Sequence, residues 1–313
     1  MMSLRTFLNF VELQTKVASL FPFLVGLLFV IYRFESFNLL NTVIFFTAML
    51  IFDLTTTGIN NYMDYKKAHS DEYRKTENII GQANIPLSLA RNTILTMLLI
   101  AMGLGIWLVF RTDLLVLFIG IVCFIIGVFY TYGPVPISRT PFGEIFSGVT
   151  MGFGILFLTV YVNAYDQGIA NLFVNGHTIN FQADLMILLE ILWVSLPCIF
   201  TIANIMLANN ICDLEDDIKN SRFTIPYYIG RKRAVILYNI LYGLSFVAIL
   251  TAVIFNILPI VMLLSLLIIL PVYKHISLFN KKQIKSETFT LAIKNLVLVN
   301  GSIIVMMVVS FIV

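Results

Sequence analysis

The sequence predicts an all-α integral membrane protein with nine transmembrane helices, arranged as two four-helix halves and a ninth helix. Hydrophobic residues make up 59% of its 313 residues and charged residues only 12%, where a soluble domain carries about 25%. Nine apolar segments have about the length needed to cross a bilayer. Lys and Arg are also distributed unevenly between the connecting loops. A lipid bilayer is therefore the expected surrounding, and no nucleic-acid partner is expected.

The predicted helices run through the whole chain, so residues 1–313 are expected to form a single polytopic membrane domain. They cover about residues 17–32, 39–60, 93–110, 114–131, 145–165, 185–208, 234–255, 257–273 and 290–312. The two predicted halves are parallel repeats inferred from the positions of two polar clusters, described below.

The basic residues predict the orientation of these helices. If the N-terminus is cytoplasmic, 17 of the 20 Lys and Arg fall in segments on the cytoplasmic side. Arg33 and Arg111 fall on the other side, and Lys294 lies within the last helix. Because cytoplasmic loops are enriched in Lys and Arg, the sequence predicts an N-in, C-out protein of the cell membrane. The largest outer loop, 166–184, contains the turn signal Asn175-Gly176.

Two clusters of Asn and Asp stand at the ends of apolar helices, where polar residues are least expected. Cluster 1 comprises Asn60, Asp64 and Asp71, and cluster 2 comprises Asn209, Asp213 and Asp217. Residues four apart lie on one face of a helix. The clusters follow the second and sixth helices, and parallel repeats would place them facing each other on the cytoplasmic side.

The composition of both clusters suits a divalent cation and a phosphate. Mg²⁺ prefers a few carboxylate or amide oxygens and completes its shell with water and phosphate oxygens. Basic residues that could take the remaining phosphate oxygens are Lys66, Lys67, Arg74, Lys219 and Arg222. The alternatives are that the acids are solvated loop ends and that the cations reflect the positive-inside bias alone.

A third polar segment follows the fourth helix. Tyr130-Thr131-Tyr132-Gly133-Pro134-Val135-Pro136 precedes Arg139 and Gly143-Glu144. Aromatic residues before a proline turn are common at a membrane interface. The alternative is an aromatic lining that tolerates a developing carbocation.

These residues together resemble the UbiA superfamily of intramembrane prenyltransferases, in particular its menaquinone branch, the 1,4-dihydroxy-2-naphthoate prenyltransferases. The stretches 60–64 and 209–217 resemble the family motifs N-D-x-x-D and N-N-x-R-D-x-x-x-D. The stretch 224–230, Thr-Ile-Pro-Tyr-Tyr-Ile-Gly, resembles the tail T-L-P-x-x-L-G, and residues 130–136 with Gly143-Glu144 are similar to Y-x-x-G-P-x-P…G-E/D. Asn61 and Cys212 depart from the motifs, standing where Asp and Arg are usual, and Asp71 lies one residue beyond the usual spacing.

The resemblance implies a Mg²⁺-dependent transfer of a polyprenyl group from a polyprenyl diphosphate to an aromatic acceptor. The acceptor would be 1,4-dihydroxy-2-naphthoate, and loss of CO₂ and diphosphate would give demethylmenaquinone. The implied catalytic residues are Asp64, Asp213, Tyr130 and Tyr132. The implied metal ligands are Asn60, Asp64, Asp71, Asn209, Asp213 and Asp217, and the implied diphosphate-binding residues are Lys67, Arg74, Arg139, Lys219 and Arg222. The active site would lie near the cytoplasmic face.

Other functions remain open at this stage. A transporter or channel would explain ionisable residues inside helices, here Asp53, Glu190 and Lys294. A CDP-alcohol phosphotransferase would also act on a diphosphate in the membrane, but its continuous motif is missing. Within the prenyltransferases, 4-hydroxybenzoate or haem are alternative acceptors.

Overall fold

The computed structural model describes residues 2–68, 71–76 and 78–313, with residues 71–73 described by their backbone alone. This part of the chain contains fifteen α-helices and two β-strands. The helices are α1 Leu4–Phe10, α2 Val17–Phe34, α3 Leu39–Lys67, α4 Asp71–Thr76, α5 Ile79–Gln82, α6 Leu87–Arg111, α7 Leu114–Thr131, α8 Gly143–Ser147, α9 Ile155–Ala164, α10 Leu185–Cys212, α11 Leu214–Lys219, α12 Ile225–Ile229, α13 Arg231–Ile254, α14 Ile269–Lys281 and α15 Phe289–Ser310. The strands are β1 Ala170–Asn175 and β2 Thr178–Ala183.

Nine helical segments of the described chain are long and apolar enough to cross a membrane, which confirms the predicted number. They are Leu13–Phe34, α3, α6, α7, Gly143–Ala164, α10, α13, Ile260–Lys281 and α15. Three of them include tighter or wider turns: 3₁₀ turns at Leu13–Lys16 and Ile260–Ile268, and π-helical turns at Gly148–Gly154. The protein is therefore a multi-pass membrane protein, and its N-in, C-out orientation stays a prediction.

The chain divides by its contacts into two compact units, and this division differs from the predicted halves. Unit 1 contains residues 1–19 and 38–136, and unit 2 contains residues 20–37 and 137–313. Most of the first membrane helix therefore belongs with the later helices. The reason is close packing, since a Cβ at Gly26 of α2 would lie only 2.9 Å from the Leu156 carbonyl oxygen of α9.

Unit 1 is organised around the long helix α3. Its N-cap residue Asn38 accepts a hydrogen bond from the Asn41 backbone N–H, which satisfies one of the free donors of the first turn. A buried apolar cluster joins the short α1 to the loop around α5 and to α6. Phe10 of α1 is fully buried in this cluster, against Gly58 of α3. This packing holds the C-terminal part of α3, where cluster 1 lies.

Unit 2 is organised around α10. The π-helical turns before α9 approach α10 so closely that a Cβ at Gly152 would lie 2.6 Å from the Ile199 backbone nitrogen. A Cβ at Gly148, four residues earlier, would lie 2.8 Å from the Ile199 carbonyl oxygen. Small residues at this spacing let two membrane helices pack backbone to backbone. The pairing fixes α8 beside the C-terminal half of α10, where cluster 2 begins.

The predicted outer loop contains an antiparallel hairpin. Only a turn signal, and no strands, was predicted for this loop from the sequence. Strands β1 and β2 pair from Ala170↔Ala183 to Asn175↔Thr178. The two turn residues are Gly176 and His177, so the turn begins within the predicted signal Asn175-Gly176, and Gly176 has φ +58°. A left-handed residue at this position suits glycine and a two-residue hairpin turn.

Two of the charges predicted inside the membrane helices are paired within their own unit. In unit 1, Lys16 Nζ lies 2.9 Å from Asp53 Oδ1, and both side chains are largely buried. In unit 2, Arg33 Nε donates to Glu190 Oε2 at 2.7 Å. The basic partner of Glu190 is therefore Arg33. The exposed Lys294 side chain lies on α15.

Candidate functional site

Cluster 1 lies in the last turns of α3. Asn60 and Asp64 are four residues apart on this helix and therefore share one face. The Asn60 side chain is half-buried, and its Oδ1 accepts a hydrogen bond from the Thr131 hydroxyl at the end of α7. Asp64 is exposed. The third predicted ligand, Asp71, begins α4, and its side chain lies outside the described part of the structure.

The bond from Thr131 brings the aromatic end of α7 to cluster 1. Tyr130 is half-buried in the last turn of α7, and Tyr132 caps the helix with 52% of its side chain exposed. The two predicted cation-stabilising rings thus flank the residue that contacts Asn60. Unit 1 therefore holds a carboxylate, an amide oxygen and two phenol rings at the ends of two adjoining helices.

Asn61 has a structural role that explains its departure from the family motif. Its Nδ2 donates to the Phe10 carbonyl oxygen at 2.9 Å and to Glu12 Oε1 at 3.2 Å. Its own carbonyl oxygen accepts from Asn78 Nδ2 at 2.9 Å. An aspartate at this position would present only acceptors to a carbonyl and a carboxylate, and it would lose both bonds. The amide of Asn61 therefore ties α3 to the segment after α1.

The predicted diphosphate-binding residues of unit 1 differ in their contacts. Lys67 ends α3 and is exposed. Arg74 of α4 donates to two backbone carbonyl oxygens at the end of α3, from Nε to Tyr65 at 3.2 Å and from an Nη to Ala68 at 2.7 Å. A cation is favourable at a helix C-terminus, where carbonyls lack partners. Arg74 thus holds α4 against the end of α3, just after cluster 1.

Cluster 2 begins in the last turn of α10 and continues into α11. Asn209 is half-buried, and its carbonyl oxygen accepts from the backbone N–H of Asp213, which caps α10. The Asp213 side chain forms an ion pair between its Oδ2 and Lys285 Nζ. Lys285 lies in the segment between α14 and α15 and was not among the predicted site residues. One feature of the sequence could have indicated Lys285: it is one of the basic residues on the predicted cytoplasmic side.

Asp217 is the most buried acid of cluster 2. Its Oδ1 pairs with Arg222 Nε at 3.3 Å, while its Oδ2 is buried and makes no hydrogen bond within the described residues. Burial raises the pKa of Asp217 above its usual value, and the positive charge of Arg222 opposes that rise. The backbone also closes this turn, because the Arg222 N–H donates to the Asp217 carbonyl oxygen at 2.8 Å. A buried, half-satisfied carboxylate is a site that a cation would stabilise.

Two further residues, Asn210 and Arg139, form contacts next to cluster 2. Asn210, next to Asn209, donates from Nδ2 to Oε1 of the buried Glu144 at 2.8 Å, which fixes α8 to α10. The carbonyl oxygen of Arg139 accepts from the Phe223 N–H at 3.0 Å, so the predicted diphosphate-binding Arg139 lies beside the turn that carries Arg222. Glu144 belongs to the segment after the fourth predicted helix, and no role was predicted for it from the sequence.

Lys219 and Arg231 make exposed contacts at the rim of the same unit. Lys219 pairs with Asp216 at 3.1 Å, and both side chains are about three-quarters exposed. Arg231 pairs with Glu215 at 3.3 Å. Such exposed pairs contribute little to stability, so these cations can change partners at small cost.

The donors fit Mg²⁺ as an open site. No three His, Cys, Asp or Glu side chains of the described residues gather closely enough to hold a metal by themselves. Mg²⁺ does not require such a cage, since it is commonly held by one or two carboxylates and by phosphate oxygens. Unit 2 holds the unbonded buried Oδ2 of Asp217 and the amide oxygen of Asn209, and unit 1, taken by itself, holds the amide oxygen of Asn60; each is a ligand of the type that Mg²⁺ prefers.

Comparison with known proteins is consistent with this geometry. The model of the UbiA prenyltransferase family matches residues 19–297. A similar curated protein is the 1,4-dihydroxy-2-naphthoate octaprenyltransferase of Bacillus subtilis (strain 168), 30% identical over 239 residues, which are 75% of this chain and 69% of that protein.

Solved structures show the same fold. A UbiA homologue from Aeropyrum pernix K1 has a TM-score of 0.68 and 17% identity, covering 93% of this chain and 98% of its own. A UbiA homologue from Archaeoglobus fulgidus bound to GPP and Mg²⁺ has a TM-score of 0.66 and 14% identity, covering 98% and 100%. The chain therefore belongs to the UbiA prenyltransferase family and is a membrane enzyme that transfers prenyl groups.

Proposed function

We propose that this enzyme transfers a polyprenyl group from a polyprenyl diphosphate to 1,4-dihydroxy-2-naphthoate, with loss of CO₂ and diphosphate, to give demethylmenaquinol, the reduced form of demethylmenaquinone. The 30% identity to a 1,4-dihydroxy-2-naphthoate octaprenyltransferase supports this acceptor. The single observation that carries the diphosphate chemistry is the pairing of each carboxylate of cluster 2 with a cation: Asp213 with the exposed Lys285, and Asp217 with the half-buried Arg222.

The residues that would hold Mg²⁺ are those of the two clusters: Asn60, Asp64 and Asp71 from cluster 1, and Asn209, Asp213 and Asp217 from cluster 2. A bound Mg²⁺ would neutralise the negative charge of the leaving diphosphate. The homologue from Archaeoglobus fulgidus that is bound to GPP and Mg²⁺ supports a role for Mg²⁺ in this enzyme.

The cations of the site are proposed to bind the diphosphate itself. Arg222 and Lys285 neutralise the carboxylates of cluster 2. When Mg²⁺ binds these carboxylates, both cations can pair with phosphate oxygens instead, so that every charge keeps a partner. Arg139 and Lys219 lie beside the same turn and at its rim. Lys67 and Arg74 supply the corresponding charges next to cluster 1. An Arg binds two phosphate oxygens at once, while Lys acts as a point charge.

The chemical step follows from these contacts. The allylic C–O bond breaks, and its electron pair leaves with the diphosphate. The phenol rings of Tyr130 and Tyr132 stabilise the resulting cation through their π-faces. The electron-rich ring carbon that bears the carboxylate then bonds to the prenyl group, and the carboxylate leaves as CO₂ while its electron pair restores the aromatic ring. The apolar surroundings exclude the water that would trap the cation.

The location of the site is proposed to be the cytoplasmic face of the cell membrane. Lys66 and Lys67 lie within cluster 1, Arg74 and Lys75 follow it closely, and Lys219 and Arg222 follow cluster 2. Such concentrations of positive charge are typical of cytoplasmic loops. Water-soluble acceptor and released diphosphate would then exchange with the cytoplasm.

A panel of acceptors tests the proposal. The purified enzyme in proteoliposomes receives a polyprenyl diphosphate, Mg²⁺ and one of three acceptors: 1,4-dihydroxy-2-naphthoate, 4-hydroxybenzoate or haem. Mass spectrometry is expected to find a prenylated product that has lost CO₂ with the naphthoate alone. A prenylated hydroxybenzoate that retains its carboxyl group, or a prenylated haem, would contradict the proposed acceptor while leaving prenyl transfer intact.

A further inference from the structure

The hairpin β1–β2 separates its polar and apolar side chains almost completely. Its register pairs Leu172 with Phe181 and Val174 with Ile179 on one face, next to the pair Ala170↔Ala183. The opposite face carries Asn171, Asn175, Thr178, Asn180 and Gln182, together with Phe173. Alternate residues of a strand point to opposite faces, so the register alone creates one apolar and one polar face.

The base of the hairpin is attached to the helices of unit 2. The Tyr161 hydroxyl of α9 donates to the Ala170 carbonyl oxygen at 2.9 Å, and the Asp184 N–H donates to the Ile169 carbonyl oxygen at 3.1 Å. Ile169 and Ala170 are buried. Asp184 also caps α10, since its Oδ1 accepts from the backbone of the first turn. The hairpin is therefore fixed in direction at the point where two membrane helices end.

Beyond the buried Ala170 and the half-buried Leu172, the apolar face of the hairpin is not covered by the described residues of the protein. The exposed fractions are 53% for Val174, 74% for Ile179 and 60% for Phe181. Immediately after the hairpin, the first turns of α10 expose Leu185, Met186 and Leu189 in the same way. These residues begin a membrane-spanning helix, so the exposed apolar surface of the hairpin continues into a surface that contacts lipid.

We infer that the hairpin lies in the membrane interface with its apolar face against the lipid acyl chains and its polar face towards the headgroups and water. Three observations select lipid as the occupant: the segregation of the faces, the anchoring of the hairpin beside two helix ends, and the continuity with α10. The hairpin carries no Lys, Arg, Asp or Glu between Ala170 and Ala183, so inserting the apolar face removes no charge from water. A second copy of the chain fits less well, because a stable protein interface needs about 20–30 residues a side.

Two phenylalanines on opposite faces provide a matched test. In a background with Trp107→Phe and Trp193→Phe, which removes both native tryptophans, the variants Phe181→Trp and Phe173→Trp place one reporter on each face. The proteins are reconstituted into phosphatidylcholine vesicles with or without brominated acyl chains. We expect Trp emission at 181 to be blue-shifted and quenched by the brominated lipid, and Trp emission at 173 to be quenched by aqueous iodide.

Three outcomes would overturn the inference. Equal quenching of both reporters by iodide would place the hairpin in water, and equal quenching of both by brominated lipid would exclude the proposed facing. Protection of position 181 from both quenchers, with energy transfer between labelled copies, would identify a second copy as the occupant. If the Phe181 variant does not fold, Ile179→Trp repeats the measurement on the same face.

Discussion

The ion pair between Lys16 and Asp53 yields the sharpest stability prediction. Lys16 Nζ donates to Asp53 Oδ1 at 2.9 Å, to the Asp53 carbonyl oxygen at 3.2 Å and to the Thr57 hydroxyl at 2.5 Å. The second carboxylate oxygen accepts from the Ser19 hydroxyl at 2.6 Å. The Lys16 side chain is 8% exposed and the Asp53 side chain 16%. Replacing Lys16 by Met would leave a buried carboxylate without its counter-ion.

The expected loss follows from the burial of both charges. Removing one partner of a buried ion pair typically lowers the free energy of unfolding by about 3–5 kcal/mol, since the remaining charge is left uncompensated. The double variant Lys16→Met/Asp53→Asn should recover most of that loss. Its Asn has no charge and can still accept a hydrogen bond from Ser19. Equilibrium unfolding in mixed detergent–SDS micelles measures these free energies.

An exposed pair of similar geometry serves as the control. Lys282 Nζ lies 2.7 Å from Glu287 Oε2, but both side chains are 52% exposed. Lys282→Met should therefore cost only about 0–1 kcal/mol. If Lys16→Met cost no more than Lys282→Met, or if the double variant were less stable than Lys16→Met alone, the assignment of Asp53 as a structural ion pair would be refuted.

Three more predictions test other parts of the molecule. Gly152→Val should lower the free energy of unfolding by about 1–3 kcal/mol, because the α10 backbone lies 2.6 Å from the added Cβ. Gly243→Val is the control and should lower this free energy much less, since nothing lies within 4 Å of a Cβ there. Equal costs in the same unfolding assay would contradict the close approach. Lys285→Met should lower the half-saturating Mg²⁺ concentration of prenyl transfer about two- to five-fold, since an exposed cation that competes for Asp213 is gone; a higher requirement would contradict this role. For the orientation, Gly176→Cys should react with a membrane-impermeant maleimide added outside intact cells, and labelling only after lysis would contradict the N-in topology.

The number and approximate position of the membrane helices could be predicted because both depend on local composition. Length, apolarity and the placement of Lys and Arg are properties that a single sequence shows directly. The grouping of helices into units could not be predicted in this way. It depends on backbone approaches such as the one at Gly26, where the partner is 130 residues away.

The polar residues of the candidate site were found because their spacing and their place after apolar helices are visible in the sequence. Their partners were not, since Lys285 reaches Asp213 across 72 residues and Glu144 reaches Asn210 across 66. The pairing of Arg33 with Glu190 across 157 residues was missed for the same reason. The reason why Asn61 departs from the motif was also not visible in the sequence. It depends on the hydrogen bonds from its side-chain amide to Phe10 and Glu12, which only the structure shows.

We propose that Asp64 and Asp213 are each needed for the ionisation of a prenyl diphosphate. The most direct measurement is Mg²⁺-dependent release of diphosphate from proteoliposomes supplied with polyprenyl diphosphate and 1,4-dihydroxy-2-naphthoate. Asp64→Asn and Asp213→Asn are each expected to slow release by about a hundred-fold or more, whereas Asp216→Asn, at an acid that is 77% exposed, should leave it unchanged. Release at the unaltered rate in both the Asp64 and the Asp213 variants would contradict the account.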